Sequence, residues 1–330
     1  MTSLMSAAPV PATVRHCCRI PIRLVMVMVL LLTPLMAQEL TEAVIDSAWR
    51  HDFRPRTDGR GTRVLIDRYH DTIYRTTGPD HGAHVMLDIM RRDGFETTWL
   101  DTSLSLPRLN GDILIIHGLP NDVDSLGEGA DFWKSPLSDG EVAAVVKFVA
   151  DGGGLFLTLS HFPNGSGARP LLEAFQVRFR DGYAFHPDHP SFHDPGDKCS
   201  HFFGMSADNG LLNPGHPLLA MGAPVRRVDF LCGAIVFRRP EDVIIPFPAG
   251  TRNYNRDETI WEASDFYAAM LGFPYGRGRV VICTDQGMFR NFIFTFDHTK
   301  TVHVTITSPE NDNANLFVNL VRWLAPSSPR

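Results

Sequence analysis

Short apolar runs alternate with segments of helical periodicity in two parts of the chain. Four runs that are rich in apolar residues and bounded by polar ones predict buried strands, and a fifth run, 95–100, is rich in residues that favour strands. Three segments repeat apolar residues at intervals of three and four, which predicts helices with one buried face. Because strands and helices alternate with short connections, the strands are expected to pair in parallel through right-handed crossovers. The predicted strands are 63–67, 95–100, 112–116, 155–159 and 278–283, and the predicted helices are 84–91, 141–150 and 313–324.

Two sequence signals mark the helix ends. Ser138 and Glu141 have the spacing of a capping box, which makes Ser138 the predicted N-cap of helix 141–150. Gly94 follows helix 84–91 at a position where glycine commonly ends a helix. Both signals agree with the helix ends that the apolar pattern predicts.

The regular alternation stops in the middle of the chain. Residues 161–275 are predicted to form a long irregular insertion or lid, with a weak strand pair around 225–237 and a helix at 259–271. Residues 38–61 are polar and form a lead-in segment, and 326–330 form a short tail. The expected organisation is therefore one α/β domain over 62–325 that carries this insertion.

The N-terminal segment 1–37 has the pattern of a secretory signal. Arg15, Arg19 and Arg23 precede an apolar run at 24–37, and the segment contains no acidic residue. The run has 14 residues, whereas a membrane-spanning helix needs about 20. We therefore expect a cleaved signal and a periplasmic or extracellular protein. The alternative is an uncleaved anchor, which would be the chain's contact with the membrane.

Charge and cysteine content narrow the classes of function. The 330 residues carry a formal charge of −6, and 28 basic and 37 acidic residues remain once 1–37 is removed. This balance argues against nucleic acid as a partner, since phosphate binding needs a basic surface.

The cysteines that remain once 1–37 is removed are Cys199, Cys232 and Cys283, which allow at most one disulfide. Their spacing matches no metal motif, so buried thiols are expected.

Four stretches resemble one superfamily. They are Val-Leu-Ile-Asp-x-x-His at 64–70, Gly-Gly-Gly-Leu-Phe-Leu at 152–157, Gly-Arg-Gly-Arg-Val-Val-Ile at 276–282, and the Asn-rich start of the last helix at 311–324. Their order and spacing resemble the class I glutamine-amidotransferase-like, flavodoxin-like domains. Within these, the chain resembles secreted bacterial members related to gliding-motility auxiliary and trehalose-utilisation-type proteins. The resemblance implies a three-layer, doubly wound, mostly parallel α/β sheet.

The resemblance also bears on activity. Amidotransferases of this superfamily place a cysteine nucleophile in the turn after the strand that follows the Gly-rich motif. The matching positions here are Ser160 and His161. Because glutamine hydrolysis requires the thiolate, glutaminase activity is not expected.

A polar pocket is predicted at the carboxyl ends of the strands, where open α/β sheets bind their ligands. A serine hydrolase could be assembled there from Ser160, with His70 or His117 as base and Asp67 or Asp285 as orienting acid. Ser160 lacks the Gly-x-Ser-x-Gly elbow, however. The candidate pocket residues are Asp67, His70, His117, Ser160, His161 and Asp285.

A second group of candidate ligands lies in the insertion. Histidine and carboxylate side chains are concentrated between 186 and 201, and three of them could hold zinc or a related divalent ion with one open position. Pro187, Pro190 and Pro195 make the segment an irregular coil, so a polar lid is the alternative. The metal candidates are His186, Asp188, His189, His193 and His201.

Aromatic residues near the end of the insertion permit a further interpretation. Tyr254, Trp261, Phe266 and Tyr267 could stack against a sugar, or they could be core and surface residues of the predicted helix 259–271. The sequence thus favours an exported domain that binds a small polar ligand, a glycan or an envelope protein. The alternative is a metal-assisted or serine hydrolase acting on a sugar-like or amide substrate.

Overall fold

The computed structural model describes residues 40–46, 48–56, 61–70, 83–119, 134–162, 165–192, 198–254, 260–262 and 267–326. All of these belong to one compact unit, Gln38–Arg330. The predicted signal segment 1–37 lies outside the described residues. Among the described residues, no helix is both long enough and apolar enough to cross a bilayer.

The described residues contain seventeen strands and four α-helices. The strands are β1 (Leu40–Ile45), β2 (Arg63–Asp67), β3 (Glu96–Leu100), β4 (Ile113–His117), β5 (Gly154–Thr158), β6 (Arg178–Arg180), β7 (Tyr183–Phe185), β8 (Phe202–Ser206), β9 (Arg227–Phe230), β10 (Ile235–Phe237), β11 (Val243–Pro246), β12 (Arg252–Tyr254), β13 (Ile260–Glu262), β14 (Ala268–Tyr275), β15 (Gly278–Cys283), β16 (Asn291–Phe296) and β17 (Lys300–Thr305). The helices are α1 (His84–Arg92), α2 (Asp139–Ala150), α3 (Arg169–Ala174) and α4 (Asn313–Leu324).

The main sheet has nine strands in the order β3-β2-β4-β5-β15-β14-β10-β6, with β11 also paired to β14. The first five strands of this order are parallel to one another. They coincide with the five predicted strands. β4 and β5 are buried along their whole length, which explains why their sequences lack a polar face.

The predicted doubly wound, mostly parallel fold is wrong. β14, β10, β6 and β11 add antiparallel pairings to the main sheet. Among the described residues, three smaller sheets (β1-β16-β17, β13-β12-β7 and β8-β9) are antiparallel throughout. The protein is therefore rich in antiparallel sheet and has few helices.

Many of the antiparallel strands lie in the predicted insertion 161–275, which contains strands β6 to β14 rather than irregular coil. The predicted helix 259–271 is wrong, since its residues contribute to β13 and β14. β14 returns to β15 through a tight turn in which Gly276 has a positive φ of 57°. Because β14 is buried on both faces, its sequence has no alternation that would distinguish a strand from a helix.

The predicted strand pair around 225–237 is also corrected. Both strands exist, as β9 and β10, but they do not pair with each other. β9 pairs with β8, whereas β10 joins the main sheet between β14 and β6. The pairing partners lie far away in sequence, so local pattern could not identify them.

The helix signals are confirmed. Ser138 caps α2, and the Glu141 carboxylate accepts a hydrogen bond from the Ser138 backbone N–H, which completes the capping box. Gly94 follows α1 with a positive φ of 88°. Residues of α1 and α4 pack with Ile113 and Ile115 on one face of β4, and residues of α2 and α3 pack with Leu114 and Ile116 on the other.

Cys199 and Cys232 form a disulfide whose Cα atoms lie 5.7 Å apart. This corrects the expectation of three buried thiols. The bond ties the segment before β8 to the segment between β9 and β10. Cys283, at the end of β15, is a buried thiol as expected.

Candidate functional site

The carboxyl ends of the parallel strands bring polar side chains to one edge of the main sheet. Asp67 ends β2, His117 ends β4, Ser160 and His161 follow β5, and Asp285 follows β15. These strands are neighbours in the order β2-β4-β5-β15. All of these residues except His161 are buried. We call this region the carboxyl edge.

His70 is held between two carboxylates. Its Nδ1 lies 3.0 Å from Asp67 Oδ2, and its Nε2 lies 2.8 Å from Glu141 Oε1. Glu141 also accepts hydrogen bonds from the backbone of Leu104 and from Ser138. Since both ring nitrogens are occupied, His70 fastens the end of β2 to the first turn of α2.

Opposing effects act on the pKa of His70. Burial disfavours the imidazolium and is the largest single effect, but the hydrogen bonds and charges of Asp67 and Glu141 together outweigh it and raise the pKa. Burial also acts against ionisation of Glu141, yet the hydrogen bonds from Ser138 and Leu104 outweigh it and lower its pKa. Both shifts favour an ionic contact between His70 and Glu141.

His117 has the opposite character. It is fully buried, and its Nδ1 lies 3.2 Å from Thr158 Oγ1 on the neighbouring strand. Thr158 Oγ1 accepts a 2.7 Å hydrogen bond from the backbone of Gly118. Burial, assisted by the positive charge of Arg290, lowers the pKa of His117 to about 3. The ring is therefore neutral at physiological pH.

Ser160 and His161 occupy the turn after β5. Ser160 is buried, whereas His161 is half-buried, donates from Nδ1 to the Phe162 carbonyl at 2.8 Å and stacks on Tyr183. The hydrolase hypothesis requires a histidine bonded to Ser160. Among the described residues, His70 and His117 direct the ring nitrogens reported above to Asp67, Glu141 and Thr158 instead.

The carboxylate of Asp285 accepts hydrogen bonds from the backbone. Its Oδ1 accepts from Gly287 and its Oδ2 from Leu231, both at 2.7 Å. Burial raises the pKa of this carboxyl to about 6, against the effect of those hydrogen bonds. Asp285 thus shapes the loop after β15 and is not positioned to orient a catalytic histidine.

The residues predicted to bind metal are dispersed. His186 contacts the Ala249 carbonyl through Nε2 and the Asp188 backbone through Nδ1. His201 contacts the Leu231 carbonyl and Ser191. His189 packs against His186 and Phe202. His193 lies outside the described residues, and among the rest no three His, Cys, Asp or Glu side chains converge to hold an ion.

Sequence reasoning missed two polar residues at the carboxyl edge. The sequence indicates Glu141 only as a capping residue, and nothing in the apolar pattern connects it with His70. Arg290 follows β15 after one turn of 3₁₀ helix, and its charge acts on His117. A positively charged residue within a mixed loop carries no signal that would mark it in advance.

The predicted aromatic residues are separated by the fold. Tyr254 lies on β12 with its ring edge-on to Phe185 of β7, at 5.4 Å between centroids. Tyr267 packs against Phe237. The side chain of Trp261 and the whole of Phe266 lie outside the described residues. These residues do not form one continuous stacking surface among the described positions.

A groove of about 470 Å³ lies elsewhere, between β17 and the β8–β9 pair. Phe192, Phe203 and Phe296 contribute aromatic rings, and Arg227 and Glu310 contribute charge. None of the described residues of the predicted polar pocket lines it. The groove was not anticipated, since its walls come from segments far apart in sequence.

Comparison with known proteins provides no family assignment. No family model matches the chain, and no curated protein matches it. Similar solved structures include the mmIFT52 N-terminal domain, at 12% identity and a TM-score of 0.48 over 80% of this chain and 97% of that one. The cytoplasmic protein STM3548 from Salmonella typhimurium has 14% identity and a TM-score of 0.46 over 81% and 100%.

A ThuA-like protein from Bacteroides uniformis is also similar, at 11% identity and a TM-score of 0.42 over 82% of this chain and 94% of that one. ThuA-like proteins are thus among the similar structures. At these identities and TM-scores, the similarities assign neither an activity nor a ligand.

Proposed function

We propose that this chain is an exported, amidotransferase-like domain without glutaminase activity that binds a small polar ligand at the carboxyl edge. The observation that carries the proposal is the state of the histidines at this edge. His70 is clamped between two carboxylates and the Nδ1 of the neutral His117 ring contacts Thr158, so among the described residues these contacts direct neither candidate base at Ser160. An edge with buried polar groups and no assembled nucleophile suits binding better than catalysis.

The absence of glutaminase activity is supported by the chemistry of the cysteines. Neither Ser160 nor His161 can supply a thiolate. Cys283 is fully buried at the end of β15, and burial raises the pKa of its thiol. A thiol of that kind does not act as a nucleophile near neutral pH.

Export is supported by two independent features. The basic and apolar pattern of 1–37 is that of a secretory signal. The disulfide between Cys199 and Cys232 fits an oxidising compartment, since such bonds seldom persist in a reducing cytosol. The proposed location is the periplasm or the outside of the cell.

The proposal can be tested by screening the purified full chain for thermal stabilisation by small polar compounds, including sugars, amino acids, organic acids and nucleosides. A compound that stabilises the wild type is then titrated calorimetrically against Ser160→Ala and His161→Ala. We expect weaker binding in at least one variant, because both residues lie in the turn after β5.

Ser206→Ala and His303→Ala serve as matched controls, since they replace the same residue types on β8 and β17, outside the turn after β5. They should bind as the wild type does. Unchanged binding in both Ser160→Ala and His161→Ala would show that the ligand does not bind at the carboxyl edge. Binding only of oligosaccharides or of an envelope protein would replace the small ligand by one of those partners.

A further inference from the structure

Arg290 is fixed in place at the carboxyl edge. Its backbone N–H donates to the Gly287 carbonyl at 3.0 Å, and its own carbonyl accepts a hydrogen bond from the Thr305 hydroxyl. It thus joins the loop after β15 to the start of β16. The backbone is held from both sides, so the side chain projects from a rigid support.

One donor of the Arg290 guanidinium has no acceptor among the described residues. Its Nε is buried without a hydrogen-bond partner. Within the described part of the chain, no carboxylate lies within ion-pair distance of it. Its planar group packs over the Phe292 ring at 4.3 Å from the centroid, which orients the guanidinium without satisfying any of its N–H donors.

The neighbouring titratable groups compensate the charge only in part, since the carboxylate of Asp285 acts on Arg290 and raises its pKa without forming an ion pair with it. Both oxygens of Asp285 are occupied by backbone N–H groups, and burial raises the pKa of that carboxyl. His117 is neutral, and burial lowers the pKa of Arg290 itself to about 10. Arg290 is still protonated at neutral pH. A buried N–H such as the Nε of Arg290 is unfavourable without an acceptor, and an anion would relieve that cost.

We infer that Arg290 is the anchor for an oxyanion, a carboxylate or phosphate group, of the ligand that binds at the carboxyl edge. The inference rests on the proposed function and specifies its ligand class. Arginine suits this role because its planar donors match two oxygens of a carboxylate or phosphate. Phe292 holds the plane of the guanidinium, and Arg290 presents its donors at the edge where the parallel strands end.

The test uses the full chain with inorganic phosphate and with acetate at pH 7, at constant ionic strength maintained with sodium chloride. We expect the wild type to be stabilised by at least one of the two anions in a saturable manner. Stabilisation by phosphate alone would indicate a phosphorylated ligand, and stabilisation by acetate alone would indicate a carboxylic acid. Either outcome supports the inference.

Arg290→Met should abolish the anion effect. Arg290→Lys keeps the positive charge but loses the paired donors, so we expect its apparent affinity to fall about tenfold. Arg277→Met is the matched control, because Arg277 is exposed in the turn before β15 and should respond as the wild type does. Should Arg290→Met fail to fold, Arg290→Lys still separates the outcomes.

An equal response of the wild type and Arg290→Lys to both anions would overturn the inference, as would no response of the wild type to either. These results are distinguishable from failure of the proposed function. If an uncharged compound from the screen binds and depends on Ser160 or His161, the carboxyl edge remains a binding site but Arg290 is not its anion anchor.

Discussion

The Nε2 atom of His70 lies 2.8 Å from Glu141 Oε1, although 71 positions separate the two residues in sequence. The contact joins the loop after β2 to the first turn of α2. Its partner contact, from Nδ1 to Asp67, fixes the orientation of the ring. One histidine therefore links two segments that border the carboxyl edge.

We expect stability to depend on pH through His70. Its pKa is raised in the folded protein above the ordinary value of 6.5, so the folded state binds the proton more tightly. The resulting stabilisation is fully present below about pH 6.5 and is lost as pH rises through the higher folded-state pKa. Urea unfolding at intervals between pH 6 and pH 9 measures this loss.

Glu141→Gln should reduce that pH dependence and destabilise the protein by roughly 1–3 kcal/mol, because a buried contact is weakened. Asp139→Asn is the control, since Asp139 is exposed in the same helical turn. It should retain the pH profile of the wild type. A Glu141→Gln profile parallel to that of the wild type would contradict the assignment.

A buried ion pair connects α1 to α4. The guanidinium of Arg322 bonds both oxygens of Asp93 at 2.8 Å, and both side chains are buried. Arg322→Met should cost about 3 kcal/mol or more, because it removes one partner of a buried pair. Arg92→Met, which removes an arginine at the end of α1, should cost less than about 1 kcal/mol. Denaturant unfolding compares the two, and similar losses would contradict the prediction.

The disulfide should contribute measurably to stability. It closes a loop of 33 residues, for which chain entropy predicts about 3–4 kcal/mol. Dithiothreitol should therefore lower the unfolding temperature of the wild type but not that of Cys199→Ser/Cys232→Ser. Cys283→Ser should keep the response of the wild type. A wild type that is insensitive to reductant would indicate that the bond is absent or without effect.

The described metal candidates, which do not include His193, should not hold zinc in stoichiometric amount. The ring nitrogens of His186 and His201 are already occupied, and the described candidates do not converge. Protein purified without a histidine tag and incubated with zinc should contain less than about 0.1 equivalent by elemental analysis. One equivalent that is lost in His186→Ala and His201→Ala would restore the metal hypothesis.

The parallel half of the main sheet was predictable from local pattern. Fully buried strands such as β4 and β5 appear in the sequence as continuous apolar runs. Ser138 and Glu141 mark the start of a helix because their side chains bond the backbone at its first turn. The antiparallel half was not predictable. β14 is as apolar as a buried helix, and the partners of β9 and β10 depend on chain segments far away.

The candidate site was likewise predictable only in part. The sequence placed Asp67, His117 and Ser160 at one sheet edge, because parallel strands end on the same side. It could not assign their roles. Whether a histidine is clamped, neutral or directed at a serine depends on the side chains packed around it.

The sequence by itself determined the parallel strands, the cap of α2 and the edge at which polar residues collect, because these follow from periodicity and backbone hydrogen bonding over a few residues. Only the tertiary structure decided the antiparallel pairings, the Cys199–Cys232 bond, the clamp on His70 and the burial of the Arg290 Nε without a hydrogen-bond partner among the described residues. Most of these depend on residues brought together across long stretches of chain, and burial of the polar residues sets the charge state of the site.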